Sequence, residues 1–428
     1  MSKTFQNIPG TFDILPEAFT SDGTTVESSA SWHYVEERIR EVMAHYRFHE
    51  IRTPIFEPTE LIARGVGELT DIVSKEMFAF ERGDTHYVLR PELTAPAIRA
   101  YLQHHLAQKG GIQKLYYTGP CFRAEKPQKG RYRQFHQFGV EIIGAIDARA
   151  DAETVAVLMQ IYKTFGLKDL VLKINSLGDE KCRPAYKTAL QEYFEPLASK
   201  LSETSRKRLK TNPLRILDTK IEDEQELIQG APRLVDFIDD ASREHYEDVK
   251  GHLTALEIPF VEDPFLVRGL DYYTRTAYEL DSPHLGAQST LAGGGRYDLL
   301  AQELGSSEAI PAVGFAAGFE RLFLALDGEG IALPDAEQTD VYIIALGDGA
   351  EKWAFKTANE WRVAGLRVAF DLQGRSMKAQ MRDANRHGAS KVVIVGDDEL
   401  TSGKAIVRRM ETGDQETAPF DGLLALIR

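Results

Sequence analysis

Between Tyr116 and Glu141 the chain gathers groups that can handle anions and polar ligands. Arg123 and Glu125 stand at the entry of a loop, Lys126, Gln128, Lys129, Arg131 and Arg133 occupy it, and Gln137 and Glu141 stand at its exit. Strand-like hydrophobic ends flank the loop, so the segment predicts a hairpin with a basic tip. Arginine carries a permanent charge on a bidentate fork, which suits it to phosphate. Two more arginines sit in distinctive company. Arg268 opens Arg268-Gly-Leu-Asp-Tyr-Tyr-Thr-Arg-Thr276, and Arg321 closes Gly314-Phe-Ala-Ala-Gly-Phe-Glu-Arg321. Gly314 and Gly318 would let backbone and ligand approach closely.

Gln137 and Glu141 lie four apart, so on a strand they face one side. Polar groups on an otherwise apolar inner face need partners, either a ligand or an internal hydrogen-bond network. Glu92 and Thr94, in Leu89-Arg-Pro-Glu-Leu-Thr94, and the pair Tyr272 and Tyr273 are further candidates for a polar pocket. Ordinary roles compete with these. A lone strand arginine is usually a surface charge, Gly-x-x-x-Gly is usually packing, and paired tyrosines are usually core with a satisfied hydroxyl. Ala292-Gly-Gly-Gly-Arg-Tyr-Asp298 reads as a turn or bulge, because it lacks the Gly-Lys-Ser/Thr ending of a P-loop.

These residues need a scaffold. Residues 32–48 have helical apolar spacing, with Val35, Ile39, Val42, Met43 and Tyr46 on one face. Residues 20–29 are polar and predict a surface loop. Residues 50–57 read as a strand interrupted by Pro54. Strand-like runs follow at 87–90, 114–118, 135–143, 170–174 and 277–280, with a helix over 152–165. Residues 180–257 are helical and charged, which predicts an inserted helical domain; their charge runs read as solvated faces. After Leu333-Pro-Asp-Ala-Glu-Gln-Thr-Asp340, strands at 341–345, 367–370 and 391–395 alternate with helices, the pattern of a parallel α/β domain.

The totals narrow the class. The chain has 428 residues, enough for about three domains, with 43% hydrophobic and 27% charged residues. No stretch approaches the roughly 20 apolar residues of a membrane span. The first ten residues have no apolar signal core. Cys121 and Cys182 are the two cysteines, without Cys-x-x-Cys spacing, and a reducing cytoplasm fits them best. The eleven histidines show no ligand spacing, so no structural zinc is expected. A formal charge of −14 argues against a protein coated in nucleic acid, but it leaves room for a local basic face.

The 116–141 block resembles motif 2 of the class II aminoacyl-tRNA synthetases, in its histidyl form. Residues 314–321 resemble motif 3, and residues 32–57 resemble motif 1, which builds the dimer interface in that family. Residues 268–273 resemble a segment specific to histidyl-tRNA synthetases. The likeness runs from Gly10-Thr-Phe-Asp-Ile-Leu-Pro16 to the C-terminal domain. It implies an α+β fold: an antiparallel catalytic sheet with flanking helices over residues 1–325, a helical insertion at about 178–257, a linker at 326–340, and an anticodon-binding α/β domain over 341–428. It implies a homodimer in the cytoplasm, away from membranes. The implied reaction has two steps. The carboxylate of L-histidine attacks the α-phosphate of ATP, with Mg2+ sharing the charge, and the histidyl-adenylate then acylates the terminal ribose of tRNA-His.

Roles follow by the same resemblance. Arg123 and Arg268 hold the α-phosphate from opposite sides, and Arg321 holds the γ-phosphate end. Phe135 stacks on adenine and Glu125 contacts its amino group. Glu92, Thr94 and Gln137 face the amino group of histidine; Glu141, Tyr272 and Tyr273 face its imidazole. Lys126, Gln128, Lys129 and Arg131 reach the acceptor end of the tRNA, and Arg375, Lys378, Arg382 and Arg386 offer phosphate contacts in the anticodon domain. Two features depart from the pattern: Lys126 replaces a frequent arginine, and residues 20–29 lengthen the N-terminal segment. The competing family is a synthetase-like regulatory subunit of ATP phosphoribosyltransferase, which lacks aminoacylation activity and tends to lose the 268–273 segment and the anticodon domain.

Overall fold

The structure is a computed structural model that describes residues 5–428 except 22, 68, 69, 71, 220, 271, 287, 288 and 335–338. Within the segments singled out above, Asp22, Lys220, Asp271 and linker residues 335–338 therefore lie outside the described residues. The chain forms two compact units, one of Met1–Asp13 with Val35–Ala332 and one of Ile14–Tyr34 with Leu333–Arg428. No motif or composition shift in residues 14–34 points to their grouping with the C-terminal segment.

Strands β1 (Phe19–Ser21) and β2 (Thr24–Val26) pair as a short hairpin where a loop is expected. Three-residue strands of mostly Thr and Ser carry too little alternation to reveal themselves. Helix α1 (Ser29–His45) follows and buries Val35, Ile39, Val42 and Met43. Strand β3 (His49–Glu50) leads past Pro54 to β4 (Phe56–Pro58) and helix α2 (Thr59–Val66). Strands β5 (Phe78–Arg82) and β6 (Thr85–Leu89) join β4 in a three-stranded sheet of order β4-β6-β5. Helix α3 (Thr94–Gln103) comes next, with all of its first five residues buried.

The main sheet begins with the hairpin of β7 (Gln113–Phe122) and β8 (Gln134–Ile143), ten residues each in unbroken register. Helix α4 (Ala148–Thr164) starts where the Asp147 side chain accepts from the Arg149 N–H. Val155, Leu158, Met159 and Tyr162 line its buried stripe. Strand β9 (Val171–Ser176) precedes the insertion, which holds helices α5 (Arg183–Phe194), α6 (Glu203–Thr211), α7 (Glu222–Ile228) and α8 (Asp240–Ala255). The Glu224 carboxylate ties the insertion together, accepting from Ser205 Oγ at 2.8 Å and from Thr219 Oγ1 at 2.6 Å. Helix α8 packs on α4, β9 and the later strand Thr274–Asp281 rather than on its helical neighbours alone.

Strands β10 (Val261–Glu262), β11 (Thr274–Asp281), β12 (Thr290–Arg296) and β13 (Ala312–Gly318) complete an eight-stranded sheet of order β10-β9-β11-β12-β13-β8-β7-β3. Every pairing is antiparallel except the two at its edges, β10 with β9 and β3 with β7. Helix α9 (Leu300–Glu303) and helix α10 (Phe319–Gly328) flank β13 in sequence. Glycine is required in β12. A Cβ on Gly294 would strike the Tyr278 ring and the Gly314 carbonyl, and one on Gly293 would strike the Arg268 guanidinium. At the end of β12, Arg296 is fully buried and donates to Asp151 of α4, to the Ala145 carbonyl at 2.8 Å and to Asp298 at 3.2 Å. His245 of α8 lies 3.4 Å from the same Asp151 carboxylate.

In the second unit, β14 (Thr339–Ala345), α11 (Asp348–Val363), β15 (Val368–Phe370), α12 (Met377–Arg386) and β16 (Ala389–Val395) form the expected parallel core. Val341, Ile343, Val393 and Val395 pack on one face, and Tyr342, Ile344, Val392 and Ile394 on the other, hence the continuous apolar runs. The sheet is mixed rather than purely parallel. After helix α13 (Asp397–Ser402), strands β17 (Lys404–Arg409) and β18 (Gln415–Pro419) add antiparallel, and helix α14 (Leu423–Ile427) ends the chain. The five residues between β17 and β18 permit only a hairpin. The basic face proposed around α12 is partly neutralised: Arg375 pairs with Asp371 and Asp383, and Arg386 pairs with Asp383. Lys378 and Arg382 remain exposed.

Candidate active site

A cavity of about 530 Å3 opens over β8, β12 and β13 of the first unit. Arg123, Arg268 and Arg321, far apart in sequence, all line it. Each is aimed by backbone. Arg123 follows β7; its Nε donates to the Pro91 carbonyl at 3.1 Å, and its guanidinium lies 5.1 Å from the Phe135 ring centre. Arg321 opens α10; its Nε donates to the Gly130 carbonyl at 3.3 Å and its Nη1 to the Thr290 carbonyl. Burial, with Arg131 and Arg123 nearby, lowers its pKa from the ordinary arginine value. Arg268 pairs with Glu279 of β11 and lies 5.6 Å over the Tyr273 ring. Burial opposes its charge, but Glu279 outweighs that and holds its pKa above the usual arginine range. Among the described residues, the buried Arg268 Nε has no hydrogen-bond partner.

Beside the arginines lies a polar pocket. Glu92 accepts from the Thr94 N–H at 2.7 Å and the Ala95 N–H at 2.9 Å, at the start of α3. Burial raises its pKa above the ordinary value, although those two N–H bonds favour the charge. Glu92, Thr94, Gln137, Tyr272 and Tyr273 all line the cavity. Glu141 does not belong to that lining. Its carboxyl lies fully buried, accepting from Tyr117 Oη at 2.9 Å and from Tyr297 Oη. Tyr117 in turn lies 3.4 Å from Thr94 Oγ1. Burial pushes the Glu141 carboxyl up to about 8, against the hydrogen bonds from Tyr297, Thr94 and Tyr117 that lower it. Of the polar pair on β8, Gln137 lines the cavity and Glu141 is held in an internal network.

The basic tip is a turn in which Gln128 and Arg131 exchange backbone hydrogen bonds of 3.1 and 2.8 Å. Lys126, Gln128, Lys129 and Arg131 are exposed. Arg131 Nη1 also donates to Glu125 at 3.0 Å, so both reach the cavity as a pair. Several lining residues had escaped the sequence reading. Glu320 accepts from the His136 backbone N–H at 2.9 Å, and one of its oxygens lies 2.9 Å from the His136 Nδ1. Glu279 and Thr290 contact Arg268 and Arg321 as described, and Arg208 and Arg215 arrive from the insertion. Only the acidic residue preceding Arg321 carried a local hint. Elsewhere, Asp169, His284 and Glu329 bring possible ligand atoms within 4.8 Å of one another. Internal bonds already occupy them: His284 Nε2 lies 2.9 Å from Asp169, and Glu329 accepts from the Lys168 N–H at 3.0 Å.

Comparison with known proteins places this geometry. Residues 25–322 match the family model described as histidyl-tRNA synthetase, and residues 340–428 match the one described as anticodon binding domain. The chain is 48% identical, over 97% of its own length and 97% of theirs, to proteins named histidine–tRNA ligase in strains of Staphylococcus aureus. The crystal structure of apo S. aureus histidyl-tRNA synthetase is similar with a TM-score of 0.82 and 41% identity, covering 99% of this chain and all of that one. A protein of Bacillus halodurans, described as an ATP phosphoribosyltransferase regulatory subunit/histidyl-tRNA synthetase, shares the fold at a TM-score of 0.62 and 22% identity, covering 92% of this chain and 99% of that one. Identity of this order along nearly the whole length, with both family models matched in order, means that the chain belongs to the histidyl-tRNA synthetase family.

Proposed function

We propose that this cavity joins L-histidine to tRNA-His at the expense of ATP, through a histidyl-adenylate. The convergence of Arg123, Arg268 and Arg321 on one cavity with a polar pocket beside it carries the reading. Attack of a carboxylate on the α-phosphate brings anion to anion. Arg123 and Arg268 would flank the phosphorus centre and stabilise charge as it develops. Arg321 would hold the leaving pyrophosphate end, and Phe135, with Arg123 against its ring, would stack on adenine with Glu125 at its edge. Magnesium favours oxygen donors and keeps waters. The Glu320 carboxylate, in the lining beside Arg321, would hold it together with nucleotide phosphates, where it would neutralise phosphate charge.

Histidine recognition follows from the second pocket. Glu92, Thr94 and Gln137 would take the amino group, while Tyr272 and Tyr273, with Glu141 behind, would address the imidazole. A pocket whose polar groups are stranded by a non-bonding analogue discriminates strongly. Lys126, Gln128, Lys129 and Arg131 would meet the acceptor end, and the C-terminal unit would take the anticodon. We further assign a homodimer in the cytoplasm. The exposed side chains of Ile55, Phe56 and Phe80, with Tyr87 in the same aromatic group, support the dimer. The deciding experiment is pyrophosphate exchange into ATP, with each amino acid supplied singly and no tRNA. Exchange with histidine alone is expected. Exchange with another amino acid would overturn the pocket assignment, and none at all in folded protein would favour the regulatory family.

A further inference from the structure

Residues 8–12 fold against the basic tip of the β7–β8 hairpin, within the first unit. Ile8-Pro9-Gly10-Thr11 is a β-turn: the Thr11 N–H donates to the Ile8 carbonyl at 3.0 Å, and Gly10 has a φ of +87°. Proline at the second position and glycine with positive φ at the third are what a type II turn demands. The turn aims the Gly10 carbonyl at the hairpin, where it accepts the Arg133 N–H at 2.7 Å. The Arg133 side chain answers the same segment. Its Nη1 donates to the Pro9 carbonyl at 3.2 Å, and its Nε donates to the Glu125 carbonyl at 3.4 Å. Phe12 meets the Tyr132 ring edge-on, with centres 5.0 Å apart.

These contacts fall where the hairpin opens. In an antiparallel ladder a hydrogen-bonded pair exchanges two bonds. The Arg123 N–H donates to the Arg133 carbonyl at 2.9 Å, but the return bond from Arg133 goes to Gly10. One residue on, the Ala124 N–H donates at 2.7 Å to the carbonyl of Glu76, which ends the helical turn Ile72–Glu76. Two outside segments thus take one arm each, and the hairpin parts at Arg123. Glu125 and Tyr132, on opposite arms beyond that point, both line the cavity. Gly10 cannot be replaced without moving this junction. Besides its positive φ, a Cβ there would come within 2.7 Å of Pro127 Cγ and 3.0 Å of Arg133 Cγ.

We infer that Pro9–Phe12 is a strap that positions the adenine end of the site: its two carbonyls hold Arg133, Arg133 holds the Glu125 backbone, and Glu125 meets the nucleotide base. The inference rests on the proposed ligase reaction, which puts Glu125 at the adenine edge. The strap itself touches no substrate; Gly10 and Arg133 are positioning residues. They order the loop before the nucleotide arrives, so that binding does not carry the entropic cost of ordering it.

The test reads loop order and nucleotide affinity separately in the full-length protein. Gly10→Val drives the strap off Pro127, and Arg133→Met removes the guanidinium bridge while sparing the turn. Brief trypsin digestion without ligands reports the loop, through cleavage after Lys129 and Arg131. Histidine-dependent pyrophosphate exchange without RNA reports KM for ATP and for histidine. Both variants should be cut in the loop roughly fivefold faster or more, with cleavage elsewhere unchanged. Both should raise KM for ATP roughly fivefold or more, while KM for histidine stays within about twofold. Arg133→Lys, which keeps a donor on a stem of similar length, should recover part of the loss. Loop cleavage at the unaltered rate in both variants would overturn the strap. So would equal rises in both KM values, the mark of general loosening. If Gly10→Val fails to fold, Arg133→Met decides alone. Failure of the unaltered protein to exchange with histidine would instead strike the ligase reading, and the cleavage rates would still decide whether the strap orders the loop.

Discussion

Gly293→Ala is the most discriminating single-atom perturbation of this site. The backbone of Gly293 is fixed on both sides, by Glu279 of β11 and Ala316 of β13. A methyl group there falls within contact distance of the Arg268 guanidinium. The sheet cannot yield, so the end of the Arg268 side chain must, by more than about 1 Å to restore carbon contact distance. Misplacement on that scale costs on the order of 100-fold in rate. Losing the guanidinium altogether, in Arg268→Ala, should cost about 100- to 1000-fold, as for one donor to a developing anion. Stability should hardly fall, because alanine restricts the unfolded chain more than glycine does, by about 0.4–1 kcal/mol. The assay is histidine-dependent pyrophosphate exchange in a double-mutant cycle. Gly293→Ala should be nearly silent in the Arg268→Ala background, because both changes remove one interaction. Exchange by Gly293→Ala within threefold of normal, or losses that simply add, would refute the claim that β12 needs glycine in order to seat Arg268.

Two further outcomes follow from buried charge. The Glu141 carboxyl is raised to about 8, so between about pH 5 and 8 the folded chain retains a proton that the unfolded chain has lost. Its presence therefore makes stability fall as pH rises through that window. Glu141→Gln should flatten this dependence in urea melts, and an unchanged slope would sink the assignment. Asp151 behaves oppositely: burial raises its pKa, but Arg296 and His245 outweigh that and hold it below the ordinary range. Its contribution is present above the usual carboxylate pKa and disappears as acid protonates it. Arg296→Met should cost about 3–5 kcal/mol at neutral pH by stranding Asp151, measured from the urea midpoint. A loss under 1 kcal/mol would contradict that account.

What the sequence revealed was local. Arg123, Arg268 and Arg321 stand out because glycine and aromatic neighbours mark them within a few residues. Long alternating or apolar runs made β7, β8, β14 and β16 readable. What stayed hidden depends on contacts between distant segments. Glu279 matters only because β11 lies beside the Arg268 turn, and Arg208 looks like one more charge on a basic helix until the fold turns it inward. Glu141 and Gln137 share a strand face on paper, yet Tyr297, more than 150 positions along, claims the former. The hairpin of β1 and β2, and the antiparallel addition of β17 and β18, lack the apolar periodicity that would have announced them.

The clasp formed by Arg296, Asp151 and His245 redraws the border of the insertion. Helix α8 lies within the segment that the sequence marks as inserted, yet it covers a charge belonging to the catalytic sheet. An engineer trimming the insertion to make a minimal synthetase should therefore rejoin the chain ahead of α8, near residue 239, and keep the helix. A cut at 257 would take His245 from Asp151 and strip α8 from α4, β9 and β11. By packing, α8 goes with the catalytic body, on α4, β9 and β11, rather than with the charged segment around it.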